Sequence, residues 1–476
     1  MGQWIALSHC WGQAKPLTST RETLNERIAG IPVSLCPPLF RDAMCIVREL
    51  GYQYLWIDTL CILQGDPQDW LIESAAMERV YGDATLCLAA EDCEDSRTGI
   101  FESGNKLRQN YQERIQIPCV DSTRPGICGN LYTGPDWLPT RSFPGPLSRR
   151  AWTLQEEILS PRTLKWTSKQ IEWGCRTIER VEQFPDEDYH YQYHFHNDMM
   201  ACKQIFAMRQ HHLPPVDPVM QDAVYSLWTQ IVSRLSVRII SYKTDRLPAL
   251  SGIANVVQKR TGWTYKAGLW LEKIHEGLLW DVKSSAEQVE ISKEYIAPTW
   301  SWASIFYQKS YRGMTWGADK GHRSKAERDN TFPGMSFPKF SRGWTTTTVI
   351  EKVNVVTIGD EFGRVQEATL QISGLARRSG RKVYLQILDA PYFARLDPGE
   401  ALEDNDQTPP IGIVHHGITL EKLRRCIGPY RRVGTFKIYD RQISENSSSR
   451  RSEHQVSETQ TEHLNKRWKR QTFKIV

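Results

Sequence analysis

Along the first ninety residues, short uninterrupted apolar runs alternate with apolar positions at helical spacing. Trp4–Ser8 (WIALS) is such a run and predicts a strand. Thr18–Ala29 reads as a short helix capped by Thr18, Ser19 or Thr20 and ended by Gly30-Ile31-Pro32. Pro37 and Pro38 open a second helix, Leu39–Leu50. Its apolar set of Leu39, Phe40, Ala43, Met44, Ile46, Val47 and Leu50 is wide enough to be mostly buried. Gly51 follows it in the manner of a C′ glycine. Tyr54–Ile57 (YLWI) predicts a buried strand that stops at Asp58. Gly65-Asp66-Pro67 is a turn, and Asp66 or Asp69 can cap a helix running from Pro67 to about Tyr81. Ala84–Ala90 predicts a further buried strand. The order strand, helix, helix, strand, helix, strand, with continuous apolar strands, argues an α/β fold whose mostly parallel sheet is covered on both faces.

Further on the pattern loosens. Residues 91–150 are rich in Gly, Pro and Arg and read as loops with short strands. Ala151–Leu159 predicts a helix, and Thr163–Trp166 and Gln170–Cys175 predict two strands. Residues 180–215, acidic and then rich in His and Tyr, read as a boundary. Val224, Leu227, Trp228, Ile231, Val232 and Leu235 give helical periodicity, and Asp245–Ala254 and Ala267–Trp280 continue a helical region. Residues 307–345 read as a loop. Thr348–Val356, Ala368–Ser373, Lys382–Ile387 and Gly434–Tyr439 are β-type runs. Residues 441–466, dominated by Ser, Glu, Gln and Arg, predict disorder. The expected domains are 1–180, a mainly helical 181–305, a β-rich 306–440, and a mostly disordered basic tail 441–476.

Composition narrows the classes. A chain of 476 residues that is 40% apolar and carries 17 tryptophans has the material for a packed core. A net charge of +5 from 60 basic and 55 acidic residues does not mark a nucleic-acid binder. The 11 cysteines form no CxxC pair, and several sit inside apolar runs, so a reducing, cytoplasmic setting without a disulfide framework is expected. The start lacks the features of a signal peptide, and no apolar run is long enough to predict a membrane span.

Three blocks then carry a resemblance. The first is Ala6-Leu7-Ser8-His9-Cys10-Trp11-Gly12. The second is Leu50–Gln64 followed by Asp69-Trp70, Glu73, Met77 and Tyr81. The third is Arg149-Arg150-Ala151-Trp152-Thr153-Leu154-Gln155-Glu156, followed by Leu159–Arg162. In order and spacing they resemble the fungal heterokaryon-incompatibility (HET) domain proteins. His9 departs from that pattern by standing where an aromatic residue is usual. The resemblance implies non-self recognition and regulated cell death in filamentous fungi. The HET domain is in turn distantly similar to TIR domains, which implies a TIR-like or flavodoxin-like parallel core. In the TIR enzymes a glutamate following a tryptophan on a helix cleaves NAD at its glycosidic bond. Carried over, Ile5–His9 matches the first strand and Trp70 with Glu73 matches the Trp-Glu pair, at a spacing of three rather than four.

The residues themselves allow that chemistry and a plainer one. Glu73 shares a helical face with Trp70, Met77 and Tyr81. A carboxylate there can stabilise an oxocarbenium-like state or activate water; alternatively it makes a hydrogen bond that fixes the fold. Asp58, just past a strand, can hold a ribose hydroxyl or cap its own turn. Glu73 and Asp58 are thus the catalytic candidates. Ser8, His9, Trp11, Gly12, Trp70 and Arg150 are the candidates for binding an NAD-like nucleotide, with NAD as substrate rather than cofactor. Ser8 and His9 would line the same cleft, Trp11-Gly12 offers a ring and a close backbone, and Arg149 or Arg150 can meet a pyrophosphate. Packing, a turn and an ion-paired helix are the plainer readings. Cys61 beside His9 and Asp58 invites a thiol hydrolase, but lies among Leu and Ile as an inert thiol does. His190, His194 and His196 lack a second ligand cluster, so no metal is expected. No Walker or dinucleotide fingerprint is present. The basic end Lys466, Arg467, Lys469 and Arg470 reads as solvated. Other roles consistent with the blocks are a non-catalytic module that self-associates or docks to a sensor protein, and an enzyme of secondary metabolism that reuses the fold.

Overall fold

The computed structural model of the chain describes residues 2–12, 16–102, 115–120, 128–133, 145–168, 170–182, 202–206, 217–282, 289–307, 335–337, 345–379, 382–392, 412–422, 430–441 and 469–476. The expected disordered stretch 441–466 and the three histidines at 190, 194 and 196 fall outside these, apart from Arg441. Two compact units emerge, one mainly Met1–Ile231 with Arg238–Gly262, the other mainly Trp263–Lys309 with Met314–Val476.

The first unit is built on a six-stranded sheet. Its strands are β1 (Trp4–Ser8), β2 (Tyr54–Ile57), β3 (Leu86–Ala90), β6 (Arg162–Trp166), β7 (Ile171–Cys175) and β8 (Glu179–Val181), in the order β2-β1-β3-β6-β7-β8. β4 (Ile115–Val120) and β5 (Cys128–Thr133) form a separate antiparallel pair. β2, β1, β3 and β6 run parallel, but β7 and β8 are antiparallel additions. The sheet is therefore mixed. The few residues between β6 and β7 suffice for a hairpin and cannot make the long crossover a parallel pair needs.

Five helices matter for the site: α1 (Leu24–Ala29), α2 (Pro38–Glu49), α3 (Asp58–Cys61), α4 (Pro67–Gly82) and α5 (Thr153–Leu159). α2 buries Leu39, Phe40, Ala43, Ile46 and Val47 against Ile5, Leu7, Leu86 and Leu88 of the sheet. Gly51 ends the approach to β2 with φ +79°, which L side chains rarely adopt. The Asp66 side chain accepts from the backbone N–H groups of Gln68 and Asp69 and so caps α4. α1 is half as long as its sequence pattern suggested. Ser19 is drawn into a bridge with Leu63, and Thr20 and Thr23 hydrogen-bond each other locally instead of extending the helix. β2 is an edge strand with Tyr54 exposed, not a buried one, because only β1 flanks it.

Two further helices follow in the chain, α6 (Pro218–Ser236) and α7 (Ser251–Thr261). α7 is tied to α4 through Glu78, whose buried carboxylate accepts from Asn255 and Lys259, and to α5 through Gln155, which accepts from the Gly252 N–H at 3.2 Å. A Cβ on Gly252 would lie 2.9 Å from Leu159 and 3.1 Å from the Gln155 amide oxygen, so the close approach requires glycine.

In the second unit the helical region expected over 267–280 keeps short helical turns at Leu271–Lys273 and Ile274–Gly277, but its start is a hairpin. Tyr265–Lys266 and Leu269–Trp270 pair as a hairpin whose two central residues, Ala267 and Gly268, both have positive φ. The carbonyls of those two residues accept from Ser301 and Trp302. The β-rich part is a barrel-like sheet of β9 (Thr348–Ile358), β10 (Arg364–Ser379), β11 (Lys382–Tyr392), β12 (Gly412–Lys422), β13 (Tyr430–Arg441) and β14 (Lys469–Ile475). It closes because the long β10 pairs with β9 and β14 along its first part and with β11 at its end. Leu370, Ile372, Leu385, Ile387, Ile418, Leu420 and Phe473 fill it. Lys469 and Arg470, read from sequence as a solvated basic end, begin a paired strand, and β12 is an element the sequence reading missed.

Candidate functional site

The parallel strands fix the site, because they end side by side. β1 delivers Ser8 and His9 at its carboxyl end, and β2 delivers Asp58, the residue after Ile57. The end of a parallel sheet where neighbouring strands diverge is where such folds leave room for ligands. Here two side chains of the third block, Glu156 and Arg150, reach those strand ends.

The Ser8 hydroxyl donates to Glu156 Oε2 at 2.5 Å. Both are buried, and Glu156 comes from α5, 148 residues away. The Tyr81 hydroxyl of α4 donates to the Leu7 carbonyl at 3.4 Å and also lies against Glu156. Burial pushes the Glu156 carboxyl up to about 7; the nearby Asp58 carboxylate adds to this, while Ser8, Tyr81 and Arg150 hold it down. The same burial, with Glu156 beside it, raises the Tyr81 phenol well above its ordinary range.

Asp58 holds the first two blocks together. Its Oδ2 accepts from the Trp11 indole N–H at 2.7 Å, and its Oδ1 accepts from the Thr59 N–H at 2.7 Å. The His9 Nδ1 lies 3.6 Å from Oδ1, in ion-pair range but without a hydrogen bond. The His9 ring is completely enclosed and meets Phe40 edge-on with centroids 5.4 Å apart. Burial pushes His9 below its ordinary value, against the pull of Asp58, so the imidazole is neutral near pH 7. Arg150 donates to the His9 carbonyl at 2.7 Å and acts on the Cys10 thiol, which burial nevertheless carries up to about 11. Gly12 has φ +67°, and a Cβ there would lie 2.3 Å from Asp95 Cβ and 2.7 Å from the Glu94 carbonyl. A tight local fit therefore accounts for this glycine.

Of the residues singled out in the sequence, Ser8, His9, Trp11, Asp58 and Arg150 come together. Glu73 stands apart. It is half-buried on α4, and its carboxyl is raised by burial and by Asp69, with Arg79 opposing. Among the described residues no hydrogen bond or ion pair joins it to Asp58. The Cys61 thiol, raised first by desolvation, is acted on by both carboxylates. Trp70 packs edge-on against Trp152 at 6.3 Å, joining the second block to the third. Glu156 is the central residue that the sequence placed in a polar cluster around Trp152 and not among the site candidates. The signal was present, since Glu156 lies between Leu154 and Ile158 in TLQEEIL, and a carboxylate is costly to bury without a partner. No group of His, Cys, Asp and Glu able to hold a metal occurs among the described residues.

On the other side of Ser8, towards Glu157 and Lys165, a small space of about 10 Å³ is also lined by Cys87, Glu91 and Ser148. It has room for about one water. Hydrogen bonds and charge thus join Ser8, Tyr81, Glu156, Asp58 and Arg150 at the strand ends.

The family described as heterokaryon incompatibility protein (HET) matches residues 4–156, a segment that begins at β1 and ends at Glu156. The chain therefore carries a HET domain over that segment. No curated protein and no solved structure matches this chain. Among the described residues no helix is long and apolar enough to cross a membrane.

Proposed function

We propose that this chain is a cytoplasmic effector of heterokaryon-incompatibility type, acting in regulated cell death after non-self recognition. Its HET domain works as a signalling module that docks to a sensor protein or to a second copy. The HET match supports the general role. The order β2-β1-β3-β6 of the parallel strands follows the flavodoxin-like order, which favours a TIR-like ancestry. The observation that carries the non-catalytic reading is the Ser8–Glu156 hydrogen bond. With Tyr81 and Arg150 it ties up polar groups at these strand ends, and no described hydrogen bond or ion pair joins Glu73 to them.

Expression in a filamentous fungus tests the role, together with incubation of the purified full chain with NAD. The expected result is growth arrest by wild type and by Glu73→Gln alike, with no nicotinamide released. Nicotinamide release by wild type that Glu73→Gln abolishes would overturn the reading in favour of NAD glycohydrolysis.

A further inference from the structure

The opposite end of the sheet holds a second feature, unrelated to the motif blocks. At the amino-terminal ends of β1, β3 and β6, beside the carboxyl end of α2, a cleft of about 460 Å³ opens. That volume falls within the range of small-ligand sites. Leu50, Tyr52, Leu86 and Trp173 supply its apolar wall. The register explains why these groups meet. Trp173 pairs with Leu164 and Cys175 with Arg162, so Trp173 and Arg162 stand on the same face of the β6–β7 hairpin, the face that packs towards α2.

Arg162 is the one charged residue among the described residues lining the cleft. Its guanidinium is exposed and donates to the Thr85 carbonyl at 3.4 Å. No described carboxylate is paired with it. The Thr85 hydroxyl, also in the lining, is buried without a hydrogen-bond partner. An aromatic wall, an uncompensated cation and an unpartnered hydroxyl together select one ligand chemistry. A planar ring gains contact with Trp173 and Tyr52, and an acid group gains a charge-assisted bond to Arg162.

We infer that this cleft binds a small planar aromatic anion, independently of whatever the HET motif cluster does. The probe is 8-anilinonaphthalene-1-sulfonate, titrated by fluorescence against the full chain. One saturable site is expected. Arg162→Gln should weaken it at least tenfold and Arg162→Lys less, while Tyr52→Ala should weaken it several-fold. Far-UV circular dichroism checks folding; Arg162 is exposed, so its variants are expected to fold. The uncharged analogue N-phenyl-1-naphthylamine should bind at least tenfold more weakly than the sulfonate. Wild type without saturable binding, Arg162→Gln binding the sulfonate as wild type does, or equal affinity for the uncharged analogue would each overturn the inference.

Discussion

Two adjacent carboxylates of α5 face opposite surroundings. Glu156 points to the strand ends, where its neighbours are hydroxyls and the Asp58 carboxylate. Glu157 points to a cationic group. Its Oε1 lies 3.0 Å from the Lys165 ammonium and its Oε2 4.0 Å from Arg238, and its backbone carbonyl accepts from Lys203. Burial works against the charge of Glu157 too, but Lys165, Arg238 and Lys203 outweigh it and carry the carboxyl down to about 2. Lys165, against the cost of burial, is raised by Glu157, Glu91 and Glu172. Burial thus does not decide the state of a carboxylate; the partners brought by other elements do. One neighbour is a permanent anion that ties α5 to β6, and the other is poised near neutrality.

The largest way to break this contrast is to remove the anion. Glu157→Gln removes the main anion acting on Lys165 and Lys203 and leaves Lys165 with Glu91 and Glu172. We expect a loss of ~2–4 kcal/mol, at the low side of buried pairs because the site is partly solvated, read from urea unfolding near pH 7. A variant as stable as wild type would place the cost elsewhere.

The pH dependence separates the two. Glu156 has a folded value of about 7 against 4.5 for the free group. The folded state then holds more protons between those values, so the contribution is fully favourable below 4.5 and is lost as pH rises towards 7, by ~2–3 kcal/mol. Glu157 behaves oppositely; its contribution is present above 4.5 and is lost as pH falls towards 2. Unfolding series across pH should show Glu156→Gln flattening the upper window and Glu157→Gln the lower. A Glu156→Gln profile parallel to that of wild type from 4.5 to 7 would contradict the assignment.

A third carboxylate sharpens the comparison by its small effect. Glu73 is half-exposed, and Glu73→Gln should change stability by under ~0.5 kcal/mol at pH 7. A loss of 2 kcal/mol or more would mean that it belongs to a buried network after all.

The local order of the first unit was readable from sequence, because β1 and β2 are continuous apolar runs and α2 and α4 carry their own punctuation in Pro, Asp66 and Gly51. The reading failed where a partner distant in sequence decides. Periodicity placed Glu73 beside Trp70 on one face of α4, yet could not say that Tyr81, one turn past Met77, would meet Glu156 and the Leu7 carbonyl. Likewise the apolar run Gln170–Cys175 did not reveal its direction, which follows from the shortness of its connection to β6. In the second unit, AGLWLEKIHEGLLW carries enough apolar residues for a helix. Positive φ at Ala267 and Gly268, with their carbonyls held by Ser301 and Trp302, turns its start into a hairpin.

The Ser8–Glu156 contact couples the first and third motif blocks. A double-mutant cycle of Ser8→Ala and Glu156→Gln, followed by urea unfolding at pH 7, tests it most directly. A coupling of ~1–2 kcal/mol is the predicted result. Additive losses, with a coupling near zero, would contradict it.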